Sequence, residues 1–158
     1  MDRSQPNQIV HRHLTPHVEE SLRDTPAVLI NGPRQCGKTT LAQQFAGPMT
    51  YLTLDDPNLL AAAQQDPLGS VRRLDRAIID EVQRAPQLML AVKLAIDQDR
   101  RPGRFLLTGS ANLMALPQIA DSLAGRVAIH TLLPFSQSEL QGRRNDFLQR
   151  ALAEDWPV

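Results

Sequence analysis

Ala27-Val28-Leu29-Ile30-Asn31-Gly32-Pro33-Arg34-Gln35-Cys36-Gly37-Lys38-Thr39-Thr40-Leu41-Ala42 is the stretch on which the fold turns. Its first four residues are apolar without alternation, which predicts a strand covered on both faces. Residues 32–39 then fit G-x-x-x-x-G-K-[ST], and residues 39–45 read as a helix that stops near Gly47-Pro48. A strand, this loop and a helix in that order are what an anion cradle needs. Gly32 and Gly37 permit backbone angles and close approaches that a Cβ would block. Successive backbone N–H groups can then face phosphate oxygens, with the positive end of the helix dipole behind them. The residues expected to hold a nucleotide are Gly32, Pro33, Arg34, Gln35, Cys36, Gly37, Lys38, Thr39 and Thr40. Lys38 is expected to reach the β- and γ-phosphates, and Thr39 to place its hydroxyl on Mg²⁺.

Working outward, the same apolar signature returns at residues 51–54, 77–79, 104–108 and 127–132, making five predicted strands. Helices are expected between them. Asp56-Pro57 and Asp66-Pro67 each pair a capping side chain with a proline suited to the first helical turn. Residues 86–99 carry apolar positions at Leu88, Leu90, Ala91, Leu94, Ala95 and Ile96, and residues 116–123 form a shorter candidate. Residues 8–23 have helical spacing interrupted at Pro16. Strands alternating with helices predict βαβ crossovers, hence an α/β fold with a parallel sheet covered on both faces. The expected organisation is an N-terminal helical segment (1–25), a phosphate-loop core (26–135) and a helical remnant or shortened second domain (136–158).

Composition bounds the function. The 158 residues are 42% hydrophobic and 22% charged, with 17 basic side chains balancing 17 acidic ones. Such a chain can bury an ordinary core, and bulk charge gives it no attraction to polyanions. Aromatics at 4% leave little for a base-stacking platform, so nucleic acid is not the expected partner. The single cysteine, Cys36, excludes an internal disulfide and suits a reducing compartment. Within the loop it reads either as a thiolate favoured by the helix N-terminus or as a small, half-buried filler. No apolar run approaches the ~20 residues of a membrane span, and Met1 to Pro6 lack a signal-peptide core. A cytoplasmic protein without a membrane segment is expected. His11, His13, His17 and His130 show no metal-ligand spacing.

The third predicted strand ends in Ile78-Ile79-Asp80-Glu81. Asp80 is placed to hold the Mg²⁺ shell, and Glu81 to polarise an attacking water. No Asn-Lys-x-Asp guanine signature occurs, which favours adenine. In a sheet ordered 5-1-4-3-2 the fourth strand lies between the loop strand and the acidic strand. Its tip, Thr108-Gly109-Ser110-Ala111-Asn112, then faces the γ-phosphate. Thr108, Ser110 or Asn112 can orient water there, Ser110 foremost. Arg126, ahead of the fifth strand, is a candidate to stabilise transferring phosphate in the same or a neighbouring subunit. Arg34 and Arg84 read as solvated or salt-bridged.

The loop of residues 32–41 resembles the G-P-R-Q-x-G-K-T-T-L loop of a group of prokaryotic ATPases in the AAA superfamily. Similar signatures of that group stand at residues 51–57, 80–86, 107–110, 123–126 and 133–136. The resemblance implies a three-layer P-loop ATPase of the additional-strand type. It puts Lys38, Thr39, Asp80 and Glu81 in the roles derived above, Ser110 as sensor and Arg126 as arginine finger. It also implies ATP and Mg²⁺ as cofactors, and as partners either further copies of the chain or the second domain that usually follows in the group. Alternatives to an ATP hydrolase are a nucleotide-gated interaction module with little turnover, and a nucleic-acid-remodelling ATPase.

Overall fold

The computed structural model of the chain describes residues 9–110 and 123–143. Its strands are β1 (Ala27–Gly32), β2 (Thr50–Thr53), β3 (Ala77–Asp80), β4 (Phe105–Ser110) and β5 (Val127–Thr131). All pairings are parallel, and the order β2-β3-β4-β1-β5 is the expected 5-1-4-3-2 read from the opposite edge. The interior strands are apolar on both sides because both sides are covered. Ala27, Leu29, Ile79, Phe105 and Leu107 pack with Val71, Met89, Val92 and Ile96 on one face. Val28, Ile30, Ile78 and Leu106 pack with Val18, Leu41 and Ala42 on the other. Each such Leu, Ile or Phe contributes about 1.5–3 kcal/mol by leaving water.

The helices make the outer layers. Helices α1 (Thr15–Asp24) and α2 (Lys38–Gln43) cover the second face. Helices α3 (Pro57–Gln65), α4 (Pro67–Arg72) and α5 (Leu88–Gln98) cover the first. Both Asp-Pro devices work as read. Asp56 accepts from the N–H of Asn58 at 2.7 Å, and Asp66 from that of Gly69 at 2.8 Å. Helix α2 ends at Gln43, short of the expected Phe45, because Gln44 and Phe45 close in three-residue turns on Leu41 and Ala42, and two further helices also differ from expectation. Pro16 does not interrupt a helix but sits in the first turn of α1, where its missing N–H has no helical partner to lose. Helix α5 begins at Leu88 rather than Pro86, because three-residue turns close Leu88 on Ala85 and Met89 on Pro86 first. The helix expected over 116–123 and the charged stretch from 144 onward lie outside the described residues, Leu123 excepted.

Chain contacts divide the protein into a larger unit, Leu14–Pro134, and a smaller one made of Met1–His13 and Phe135–Val158. In the larger unit, buried Arg104 ties one end of the sheet to its flanking helices. Its guanidinium donates to the carbonyls of Ala95 (2.7 Å), Asp99 (3.1 Å) and Leu74 (3.3 Å), and lies 4.9 Å from the Phe105 ring centre. In the smaller unit, Ser136 and Glu139 form a reciprocal cap on α6 (Gln137–Leu140). Glu139 also accepts from Arg12 Nε at 3.1 Å and from the His13 N–H at 2.8 Å. Burial pushes its carboxyl up, but the Ser136 and His13 N–H groups and the Arg12 guanidinium outweigh this and hold it at about 2.

Arg104→Ala leaves several half-buried carbonyls without their donor and removes a buried side chain, so a loss of about 2–4 kcal/mol is expected in urea unfolding. Arg100→Ala, at a side chain 69% exposed, is expected to change stability by less than about 0.5 kcal/mol. Glu139 has a depressed carboxyl pKa, so its contribution is present above the ordinary carboxylate range and lost as pH falls toward about 2. Urea midpoints measured from pH 6 to pH 3 should therefore fall more steeply for the wild type than for Glu139→Gln. Parallel curves would remove that linkage.

Candidate functional site

In a parallel sheet all C-terminal strand ends share one edge, where the loops leaving β1 and β3 meet the tip of β4. The loop after β1 takes left-handed backbone at Gln35 (φ 60°) and Gly37 (φ 95°) on its way into α2. Left-handed turns of this kind gather successive N–H groups on one side, forming a concave anion nest. Gly32 needs its missing side chain for two reasons. Its φ is +148°, and an added Cβ would lie 2.2 Å from the Leu132 carbonyl oxygen. Pro33, Arg34 and Gln35 form the exposed rim, while Thr40 is exposed at the start of α2. Lys38 is only 6% exposed, and its ammonium donates to the loop's own carbonyls, Pro33 at 2.8 Å and Gly32 at 3.2 Å. Cys36 is 5% exposed and packs in the α2-side core. That burial matches the filler reading of this residue.

The two predicted acidic residues differ in orientation and in hydrogen-bond partners. Asp80, 2% exposed at the end of β3, faces the same side of the sheet as α2. Thr39 Oγ1 donates to its two oxygens at 3.1 and 3.0 Å, Tyr51 Oη donates at 3.1 Å, and Thr108 Oγ1 donates as well. Burial first, then the nearby Asp80 charge, raises the Tyr51 phenol pKa above its ordinary value. The Thr39 hydroxyl and Asp80 carboxylate are hard oxygen donors, the kind a small divalent cation takes. Glu81 turns away from the strand, with left-handed backbone at φ 62° and ψ 43°. Its N–H donates to Thr108 Oγ1 at 3.0 Å, and its carboxylate accepts from Gln83 Nε2. Arg84 pairs with Asp55, as the salt-bridged reading had it.

Among the candidates on β4, Thr108 is the one bonded to both acidic residues. Ser110 stands beside Gly32 in the β1–β4 register, and its N–H donates to Gln83 Oε1 at 3.1 Å. Asn112 lies outside the described residues. Arg126 is not brought to the loop of its own chain. It precedes Val127, which pairs with Ala27 at the start of β1, whereas the loop follows Gly32. At about 3.3 Å per residue, roughly 16 Å of strand separates the two edges. Its guanidinium is instead held by Asp97, at 2.7 and 3.2 Å. Sequence reasoning missed Tyr51 and Gln83 as site residues. Tyr51 was findable: two residues before Thr53, which pairs with Asp80, it shares Asp80's side of the sheet. Gln83 lies in an irregular turn and gave no periodic signal.

This strand order, with a Gly-Lys-Thr loop after β1 and an acidic strand end on β3, defines a P-loop nucleoside triphosphatase fold of the additional-strand type. A family model described as an AAA domain matches residues 24–141, and the chain belongs to that family of P-loop ATPases. Two curated relatives, uncharacterized protein Mb2031c of Mycobacterium bovis and uncharacterized protein Rv2008c of Mycobacterium tuberculosis, are each 36% identical to it over 123 residues. That alignment covers 77% of this chain but 28% of either relative's length. Among solved structures, the Walker-type ATPase paby2304 of Pyrococcus abyssi is similar with a TM-score of 0.56 and 19% identity, covering 100% of this chain and 62% of that one. AMPPCP-bound DnaA from Aquifex aeolicus gives a TM-score of 0.54 at 14% identity, over 90% of this chain and 51% of its own. At these identities the likeness is one of fold. No helix among the described residues is long and apolar enough to cross a membrane.

Gly32→Ala should lower the melting temperature by several degrees, because the new methyl meets a backbone carbonyl that cannot step aside. Gly47→Ala, where an added Cβ meets nothing within 4 Å, is the control and should melt like the wild type.

Proposed function

We propose that the chain binds Mg-ATP at the loop of residues 32–40 and hydrolyses it. One observation carries the reading: the left-handed anion loop ends with Thr39 hydrogen-bonded to the Asp80 carboxylate, at 3.0 and 3.1 Å. A phosphate chain and a hard cation need those two features side by side. The backbone N–H groups of the loop would hold the phosphate oxygens, and Lys38 would exchange the Pro33 and Gly32 carbonyls for the β- and γ-phosphates. Thr39 and Asp80 would hold Mg²⁺, directly or through its water shell. When bound, that ion neutralises charge on the transferring phosphoryl group.

Glu81 serves as general base. It accepts a proton from water as the water oxygen bonds to the γ-phosphorus and the bond to the ADP oxygen breaks. Thr108 keeps Asp80 and the Glu81 backbone in register, and Ser110, next to Gly32, is the sensor residue of β4. Arg126 lies too far from its own loop to take part in cis, so any part it has in hydrolysis is at the site of a second copy. Adenine is the preferred base, since the guanine-reading signature is missing from the sequence. As an AAA-family member the chain is read as a cytoplasmic nucleotide-driven module, with work delivered to further copies or to a second domain.

Calorimetric titration with Mg-ATP and Mg-GTP, paired with phosphate release, tests the reading. Wild type should bind Mg-ATP in preference to Mg-GTP, and Lys38→Ala should lose at least tenfold in affinity. Glu81→Gln should keep binding while phosphate release drops by a factor of about 10² or more. Binding without release in either form would support a nucleotide-gated switch instead, and no binding would end the proposal.

A further inference from the structure

Gln83 belongs neither to the phosphate loop nor to the acidic pair, yet its side chain joins two parts of the site. Its Oε1 accepts the Ser110 N–H at 3.1 Å, and its Nε2 donates to Glu81 Oε2. The β3–β4 register runs from Ala77↔Phe105 to Ile79↔Leu107 and stops there. Beyond that point the Thr108 hydroxyl takes the Glu81 N–H, and the Gln83 amide takes the Ser110 N–H. Glu81 is thereby fastened to β4 twice, by its backbone through Thr108 and by its carboxylate through Gln83. Only a side chain with a donor and an acceptor on one rigid group can make both of the Gln83 contacts. The neighbouring geometry makes this fastening consequential. The left-handed backbone at Glu81 swings its side chain off the line of β3, and a glutamate has several rotatable bonds with which to wander. The strand tip that holds it, Ser110, is paired with Gly32 at the root of the phosphate loop.

We infer that Gln83 is a positioning residue for hydrolysis: its amide fixes the Glu81 carboxylate to the tip of β4, so that the strand beside the phosphate loop sets where the proton-accepting oxygen points. The inference rests on the ATPase reading above. A base held loosely is in the productive orientation for a small part of the time, and a displacement of about 1 Å in a catalytic group is worth up to about 10²-fold in rate. Nucleotide affinity does not depend on this contact, because the phosphate contacts lie on the loop and on Lys38.

The experiment measures kcat, KM and calorimetric Mg-ATP affinity, with melting temperature alongside, for wild type, Gln83→Met, Glu81→Gln and the double variant. Methionine keeps the length of glutamine and lacks its amide. Gln83→Met should lower kcat about 10- to 100-fold while KM, affinity and melting temperature stay at wild-type values. In the Glu81→Gln background the same change should lower kcat no further. An unchanged kcat, a full second loss in the double variant, or a loss that tracks a fall in melting temperature would each overturn the inference. Hydrolysis that needs Glu81 but not Gln83 sinks this inference alone. If the wild type releases no phosphate, the ATPase reading fails first, and the contact is then judged by nuclear magnetic resonance. The Gln83 side-chain amide signals should move and exchange faster with solvent in Glu81→Ala; signals that stay put also overturn the assignment.

Discussion

A buried carboxylate with three hydroxyl donors is the constraint on which the site depends. Asp80 is all but sealed from water, and an anion there is tolerable only if its oxygens are hydrogen-bonded. The donors come from three different elements: Thr39 on α2, Tyr51 on β2 and Thr108 on β4. One side chain thus registers the phosphate-loop helix against two strands that are far apart in sequence. The strand order makes this possible, since β4 separates β1 from β3 and offers its tip to both.

The two ends of the sheet have different tasks. At the C-terminal edge the loops carry strain and polar density: left-handed residues at Gln35 and Glu81, a lysine folded onto carbonyls, and a carboxylate under hydroxyls. Such local costs persist only where surrounding structure over-determines them. At the other edge arginines brace the fold. Arg104 gathers carbonyls from the ends of α4 and α5, and Arg126 clasps Asp97 near the C-terminus of α5. Its hydrogen bond holds the Asp97 carboxyl below the usual range. That pairing also offsets an acidic side chain at the negative end of a helix dipole.

Family membership places the chain among the AAA-type P-loop ATPases by fold and class. It leaves the task of the protein open to experiment, since the chain spans 28% of the length of the curated relatives it matches. Solved structures at 12–19% identity share the fold, and one fold hosts many functions.

Local signals determined much of this protein. Short, mainly apolar runs marked the five strands, the Asp-Pro pairs marked two helix starts, and the spacing of Gly32, Gly37, Lys38 and Thr39 marked the loop. Each of these is written within a few consecutive residues, so the chain could be read for them directly. Contacts between distant residues were decided only in three dimensions. Nothing in the segment around Arg126 says that it faces Asp97 rather than a phosphate, nor does the turn after Glu81 say that Gln83 reaches β4. Those partners are 27 to 29 residues apart, and they meet because parallel crossovers stack strand ends that share no local pattern.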